Sequence, residues 1–260
     1  MVLLIALAQP AAADPQDVTC GTTVETSIQL THDLTDCQNG LTIGANGVTI
    51  DLNGHNIVGK SGSGIGIDDT SGFHDVEIKG GGNETISGFD NGISAQGASG
   101  LQISDVRLRE NGGLGLRLSG VKDSEFSGMT VDENAGGGAW FGDGSNGNEV
   151  SRTSFSGNGK AGLVVAGDAN VLSGNWANGN AGDGIVVEAD ATGTRLSTNH
   201  AKDNKGHGFS IRTPSATMTS NTAENNHKLG ISAAKGVRDG GRNSAHKNGD
   251  SAQCTGVACS

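Results

Sequence analysis

Two pairs of residues with reactive or stacking side chains recur at one interval: Trp176 and His200 are 24 residues apart, and so are Asn178 and Lys202. An indole offers an apolar face with an N–H at its edge, which suits stacking beneath a sugar ring. An imidazole and an amine beside it supply hydrogen-bond donors and a proton acceptor. Farther back at related intervals, Arg107, Arg109 and Asp132 add charge. Trp176, Arg107, Arg109 and Asn178 are therefore expected to contact a polysaccharide. If a glycosidic bond is cleaved, His200, Lys202 and Asp132 are the acid or base candidates.

Two other series repeat in the same way. Trp140, Val164 and Val186 form an apolar stripe that suits a binding strip, an oligomer contact, or docking of a protein or cell-wall partner. Asp143, Asp168 and Asp190 fall at similar places in three successive repeats, which makes Ca2+ the cation to expect there. No other cofactor motif is visible.

These intervals require a repeating element. Gly92, Gly115, Gly138, Gly162, Gly184, Gly208 and Gly230 are separated by 23, 23, 24, 22, 24 and 22 residues. Asn111, Asn134, Asn158, Asn180, Asn204, Asn226 and Asn248 keep the same phase. Between them lie two apolar files: Ile103, Phe126, Val150, Leu172, Leu196 and Met218, and Leu108, Val131, Phe155, Ala177, Ala201, Ala223 and Ala245. Segments such as Leu116-Arg117-Leu118 alternate with period two, the mark of a strand. The pattern predicts an all-β solenoid, a parallel β-helix with about 23 residues and three short strands per turn. The Asn row is expected to occupy left-handed bends and to stack its amides from turn to turn, with a second such row at Asn175, Asn199, Asn221 and Asn243. The 28-residue step from Gly64 to Gly92 predicts an insertion of roughly five residues near Gly80–Asn83.

Composition agrees with this scheme. Hydrophobic residues make up 33% of the 260, against 45 glycines, too lean for an ordinary core but sufficient for a narrow column. A net charge of −11 without a basic run excludes nucleic acid as the partner. Residues 2–8 and the small residues before Asp14 read as the h-region and cleavage site of a signal peptide, and no segment reaches the length of a membrane span. Cys20 with Cys37 and Cys254 with Cys259 suggest two local disulfides in a secreted protein. The expected divisions are a signal-peptide remnant at 1–13, a disulfide-closed cap at 14–46, the β-helix at 47–248 and a disulfide-closed loop at 249–260.

The stretch Asp51-Leu-Asn-Gly-His55, followed by repeated Asn-x-x-x-Gly-Ile/Leu turns, resembles the right-handed parallel β-helix proteins of the pectin-lyase-like superfamily over roughly residues 40 to 248. The two cysteine segments look like those of exported actinobacterial members. The resemblance implies a right-handed helix and an extracellular carbohydrate ligand, but that superfamily holds lyases, hydrolases, epimerases and noncatalytic surface proteins. Gly206-His-Gly208 is similar to a segment of polygalacturonases, and Gly182-Asp-Gly184 to half of their paired-aspartate motif; the second aspartate is missing. The epimerase signature, which begins at a tyrosine, is absent because the chain has none. The expectation is a protein that binds, and in the enzymatic case cleaves or modifies, a polysaccharide or cell-wall glycan. The alternative is a noncatalytic adhesive protein that docks through the Trp140 stripe.

Overall fold

Short β-branched and apolar segments separated by Gly, Asn and Ser cannot pair within one turn, so they pair with the equivalent segments of the turns on either side. A computed structural model describes residues 14–15, 18–60 and 62–260 and shows this arrangement. The signal-peptide expectation at 1–13 lies outside the described residues. The strands form three parallel sheets. Sheet 1 runs from Asp14–Pro15 to Arg238–Asp239, sheet 2 from Leu34–Cys37 to Ser244–His246, and sheet 3 from Thr23–Val24 to Cys254–Thr255. A typical turn contributes Gln102–Ser104 to sheet 1, Arg107–Arg109 to sheet 2 and Leu114–Ser119 to sheet 3. The described residues contain no helix.

The expected apolar files are the core. Ile103, Phe126, Val150, Leu172, Leu196 and Met218 pair in register along sheet 1, all buried. Leu108 through Ala245 do the same along sheet 2. The repeat glycines of sheet 3 face this second file closely, at Phe155 as well as at the alanines. A Cβ added at Gly208 would stand 3.0 Å from the Ala223 Cβ, and one at Gly230 would stand 2.7 Å from the Ala245 Cβ. The repeat glycine is thus needed for close approach of two sheets.

The asparagine amides stack as expected, but the asparagines do not take the left-handed conformation. That falls on the residue before each one: Glu110 (φ 52°), Glu133 (φ 56°), Gly157 (φ 65°), Gly179 (φ 65°), Asp203 (φ 57°), Asn225 (φ 54°) and Lys247 (φ 57°). The bend turns the asparagine inward, where it is buried. Asn158 shows the ladder: its Oδ1 accepts from the backbone N–H and Nδ2 of Asn134, both at 3.0 Å, while its Nδ2 donates to Val131 O at 3.0 Å and to Asn180 Oδ1 at 3.1 Å. The second row repeats the pattern through Asn175, Asn199, Asn221 and Asn243. A third, shorter ladder through Ser124, Asn148 and Asn170 has too few asparagines to show in the spacing.

The insertion is smaller than expected. Ile65 pairs with Asn91 and Ile67 with Ile93, so the partner of Gly92 is Gly66 rather than Gly64, and the step is 26 residues. The excess lies between Ile78 and Ile86, within the expected loop. Glu84, 6% exposed, organises that loop by accepting N–H bonds from Gly81 at 2.6 Å, Asn83 at 3.1 Å and, from the turn below, Gly54 at 2.9 Å.

Both disulfides, Cys20–Cys37 and Cys254–Cys259, are formed. The last residues fold over the end of the solenoid: Ser260 N–H donates to Asn243 O at 3.1 Å and Ser260 O accepts from Ala245 N–H at 3.2 Å. That pairing covers backbone groups which an edge strand would otherwise expose.

Candidate functional site

The outer face of sheet 2 gathers some of the expected residues. Trp176 pairs with His200 and Asn178 with Lys202. The Trp176 and His200 rings are stacked, 10° from parallel, with centroids 6.2 Å apart. They border a shallow cavity of about 150 Å³ with Asn178, Lys202, Thr222 and Glu224. Lys202 Nζ lies 3.8 Å from Glu224, which also faces His246 at 3.7 Å and Lys247 at 3.6 Å.

Arg107, Arg109 and Asp132 stand farther along the same sheet and do not line that cavity. Arg107 grips the Asp132 carboxylate with Nε, at 2.9 Å, and with Nη2. Asp132 is only 7% exposed. The hydrogen bonds to Asp132 raise the Arg107 pKa above its ordinary value, with burial opposing. Arg109 bridges Glu133 at 2.6 Å and Glu110 at 2.7 Å, the two acidic residues at left-handed bends. Both arginines are thus engaged by carboxylates, in a cluster of two cations and three anions, and Asp132 is held by Arg107.

The three aspartates do not form a file either. Asp168 is level with Asn146 and Thr192: its N–H donates to Asn146 Oδ1 at 2.7 Å, and its Oδ1 accepts from Thr192 N–H at 2.6 Å and Oγ1 at 2.7 Å. Those bonds, the backbone one first, hold its carboxyl below the usual range. Asp143 and Asp190 belong to other rows. Among the described residues no three His, Cys, Asp or Glu side chains come together to hold a metal ion.

The larger concavity lies on sheet 3, a groove of about 640 Å³. Its floor is the outward file Trp140, Val164 and Val186, paired in register, and Val186 is 3% exposed although it points away from the core. Glycines 113, 136, 137 and 182 border the floor and leave the space open. The six-membered ring of Trp140 rests over Gly142. The Arg117 guanidinium lies 5.6 Å from the centroid of the Trp140 ring, within cation–π range.

The groove is electrically uneven. Arg212 bridges Glu188 at 2.8 Å and Asp183 at 4.0 Å. Asp183 Oδ1 also accepts the His207 backbone N–H at 2.7 Å, and the buried His207 Nδ1 has no partner. Arg117 and Lys160 are exposed, and neither has a carboxylate within ion-pairing distance among the described residues. The Trp140 stripe was legible in the spacing, and so was Arg117, which precedes Trp140 in the same row; Lys160, Asp183, Glu188 and Arg212 as its companions were not. The rows two residues before and four after the repeat glycine carry Lys160, Glu188 and Arg212, and reading those rows would have found them.

The chain belongs to the right-handed β-helix family: the family described as "Right handed beta helix region" matches residues 39–199 and 91–248. No curated protein matches the sequence. Among solved structures, the periplasmic alginate epimerase AlgG is similar at 13% identity and TM-score 0.55, covering 82% of this chain and 63% of that one. The A-module of Azotobacter vinelandii mannuronan C-5 epimerase AlgE4 is similar at 14% identity and TM-score 0.57, covering 82% and 72%. Pectate lyase Pel9A is similar at 16% identity and TM-score 0.51, covering 91% and 74%. This chain therefore spans less than two thirds of AlgG, and at these identities the likeness concerns the fold.

Proposed function

We propose that the protein binds an acidic extracellular polysaccharide along the sheet 3 groove, without turning it over. The carrying observation is the pair Arg117 and Lys160. In a chain of net charge −11 neither has a carboxylate partner among the described residues, and both line the groove, Arg117 over the Trp140 indole, above an apolar floor. An unpaired cation in a concave site attracts an anionic group at low desolvation cost, while Trp140 stacks on the apolar face of a sugar ring. The similar structures act, by their names, on alginate, mannuronan and pectate, all acidic polymers. Two disulfides suit an oxidising, extracellular setting.

Binding rather than cleavage is proposed because the groove carboxylates Asp183 and Glu188 are both engaged by Arg212. Cleavage by an inverting or retaining route needs one carboxyl as acid and another as base or nucleophile. His200 and Lys202, the other base candidates, stand on sheet 2. Affinity electrophoresis in gels containing alginate or polygalacturonate, with dextran as neutral control, tests the reading. The expected result is retardation by the acidic polymers that Trp140→Ala abolishes. Retardation that persists in Trp140→Ala, or release of reducing ends or unsaturated uronates, would overturn it.

A further inference from the structure

The sheet 2 cavity has a chemistry of its own, distinct from the groove. Trp176, 42% exposed, is the one large apolar side chain left exposed among the described residues. It is not isolated: the His200 ring one turn away stacks on it nearly parallel. Two hydrogen-bonding groups beside the indole have no partner among the described residues. Asn178 Oδ1 accepts the Lys202 backbone N–H at 3.1 Å, which orients the amide and leaves its NH2 group open. The exposed His200 ring makes no hydrogen bond to a described residue. Thr222 adds a hydroxyl at the wall.

The charged groups there differ from those in the groove. Lys202 and Glu224, the two ionisable chains lining the cavity besides His200, face each other at 3.8 Å. A carboxylate on a ligand would have to compete with Glu224, which lines the cavity, for Lys202. A neutral ring would meet an apolar indole face, donors from Asn178 and His200, and a hydroxyl. This combination suits a sugar, whose C–H face stacks on an aromatic while its rim of hydroxyls takes up hydrogen bonds. The cavity is small and open at the surface, with room for one ring of a longer chain rather than for an enclosed ligand.

We infer that Trp176 and His200 form a second carbohydrate site, selective for a neutral sugar unit and separate from the groove. Sheets 2 and 3 turn their inner faces to the same core, so their outer faces look in different directions, and one glycan strand cannot occupy both. Where the groove reading also holds, on which this last step rests, the protein joins an acidic polysaccharide to a neutral one. Linking two sites in one rigid body gives cross-links without new contacts.

The test is affinity electrophoresis of the intact chain in gels containing hydroxyethylcellulose, arabinoxylan or galactomannan, and separately alginate. Wild type should be retarded by at least one neutral polymer and by alginate. Trp176→Ala and, independently, His200→Ala should each weaken the neutral interaction by about tenfold, equivalent to about 1.4 kcal/mol, while leaving alginate retardation and thermal melting unchanged. Trp140→Ala should do the reverse. In a mixture of alginate with the neutral polymer, light scattering should rise with wild type and with neither tryptophan variant. No retardation by any of the three neutral polymers would overturn the second site, and so would neutral binding indifferent to both sheet 2 variants or displaced by alginate oligosaccharides. Neutral binding without alginate binding would leave the second site standing, sink the groove reading and remove the cross-linking step.

Discussion

The indole of Trp140 rests on Gly142, two residues further along the chain, so closely that a Cβ at 142 would collide with its Cη2, Cζ3 and Cζ2 atoms. Gly142 is not in the left-handed region, so alanine is conformationally acceptable there and only the ring must move. Gly142→Ala should therefore act on Trp140 at a distance from any ligand. The expected outcome is alginate affinity reduced by about 1 kcal/mol, with a melting temperature close to wild type, on the scale of one displaced aromatic platform. Isothermal titration calorimetry beside a thermal melt checks it; unchanged affinity would show that the ring position is not part of the site.

Asn158 stands in the middle of the longest ladder and makes four hydrogen bonds with its side chain. Asn158→Ala takes their Asn158 side-chain partner from the backbone N–H and one Nδ2 hydrogen of Asn134 and from the Val131 carbonyl, in a site 1% exposed, while Asn180 Oδ1 keeps the Asn158 backbone N–H. The cost should be about 3 kcal/mol or more, the range for buried unsatisfied polar groups taken together. Asn158→Asp should be destabilised comparably at neutral pH, because its carboxylate faces two oxygen acceptors, and should recover partly in acid. Urea denaturation at two pH values measures both effects.

Much of the architecture was legible because a solenoid turns period into contact: Val150 meets Phe126 and Leu172 simply because it is one turn from each. The same rule placed His200 beside Trp176. It fails where side-chain reach decides. Arg107 lies directly opposite Thr130, yet its guanidinium extends to Asp132, and no row count shows that choice. It fails also for the aspartates, since the turns differ by one or two residues and Asp168 slips level with Thr192. Groove depth depends on what is missing: the floor at Trp140 is recessed because Gly136, Gly137 and Gly182 bring no side chains to its border.

Asp69 and Glu84 should give stability opposite responses to pH. Asp69 is 1% exposed; its Oδ1 accepts the Phe73 N–H at 3.0 Å and its Oδ2 has no partner. Burial pushes its pKa up to about 6. A raised carboxyl pKa adds stability that is fully present below the unfolded value and is lost as pH rises through about 6. The amount is on the order of 2 to 3 kcal/mol, and Asp69→Asn should remove that dependence while retaining the bond to Phe73. For Glu84, burial raises the pKa, but its backbone N–H donors together outweigh burial and hold it below the ordinary value. Its contribution is present above the unfolded pKa and lost as pH falls through the folded one. Denaturant midpoints between pH 4.5 and 7.5 therefore isolate Asp69. A wild-type midpoint that does not fall over that window, or a fall that Asp69→Asn retains, would contradict the assignment.

Arg117 and Arg107 are both arginines on outward strand positions, and the structure assigns them different roles. Arg117 has no carboxylate partner among the described residues and leans over Trp140, whereas Arg107 is held by Asp132. Arg117→Gln should weaken alginate binding by about 1 to 2 kcal/mol at low salt, and Lys160→Gln by a similar amount, with little effect on folding. Because part of the wild-type affinity comes from exposed cations, it should fall as ionic strength rises, and the double variant should show a shallower dependence. Arg107→Gln should do the opposite. It strands the Asp132 carboxylate, 7% exposed, without its charge partner and should cost about 3 kcal/mol of stability while leaving alginate affinity unaltered. Calorimetric titrations at 20 and 200 mM salt beside urea melts of the three single variants separate the roles. If Arg107→Gln loses alginate at unchanged stability while Arg117→Gln binds normally, the acidic polymer lies on sheet 2, and the groove on sheet 3 is not its site.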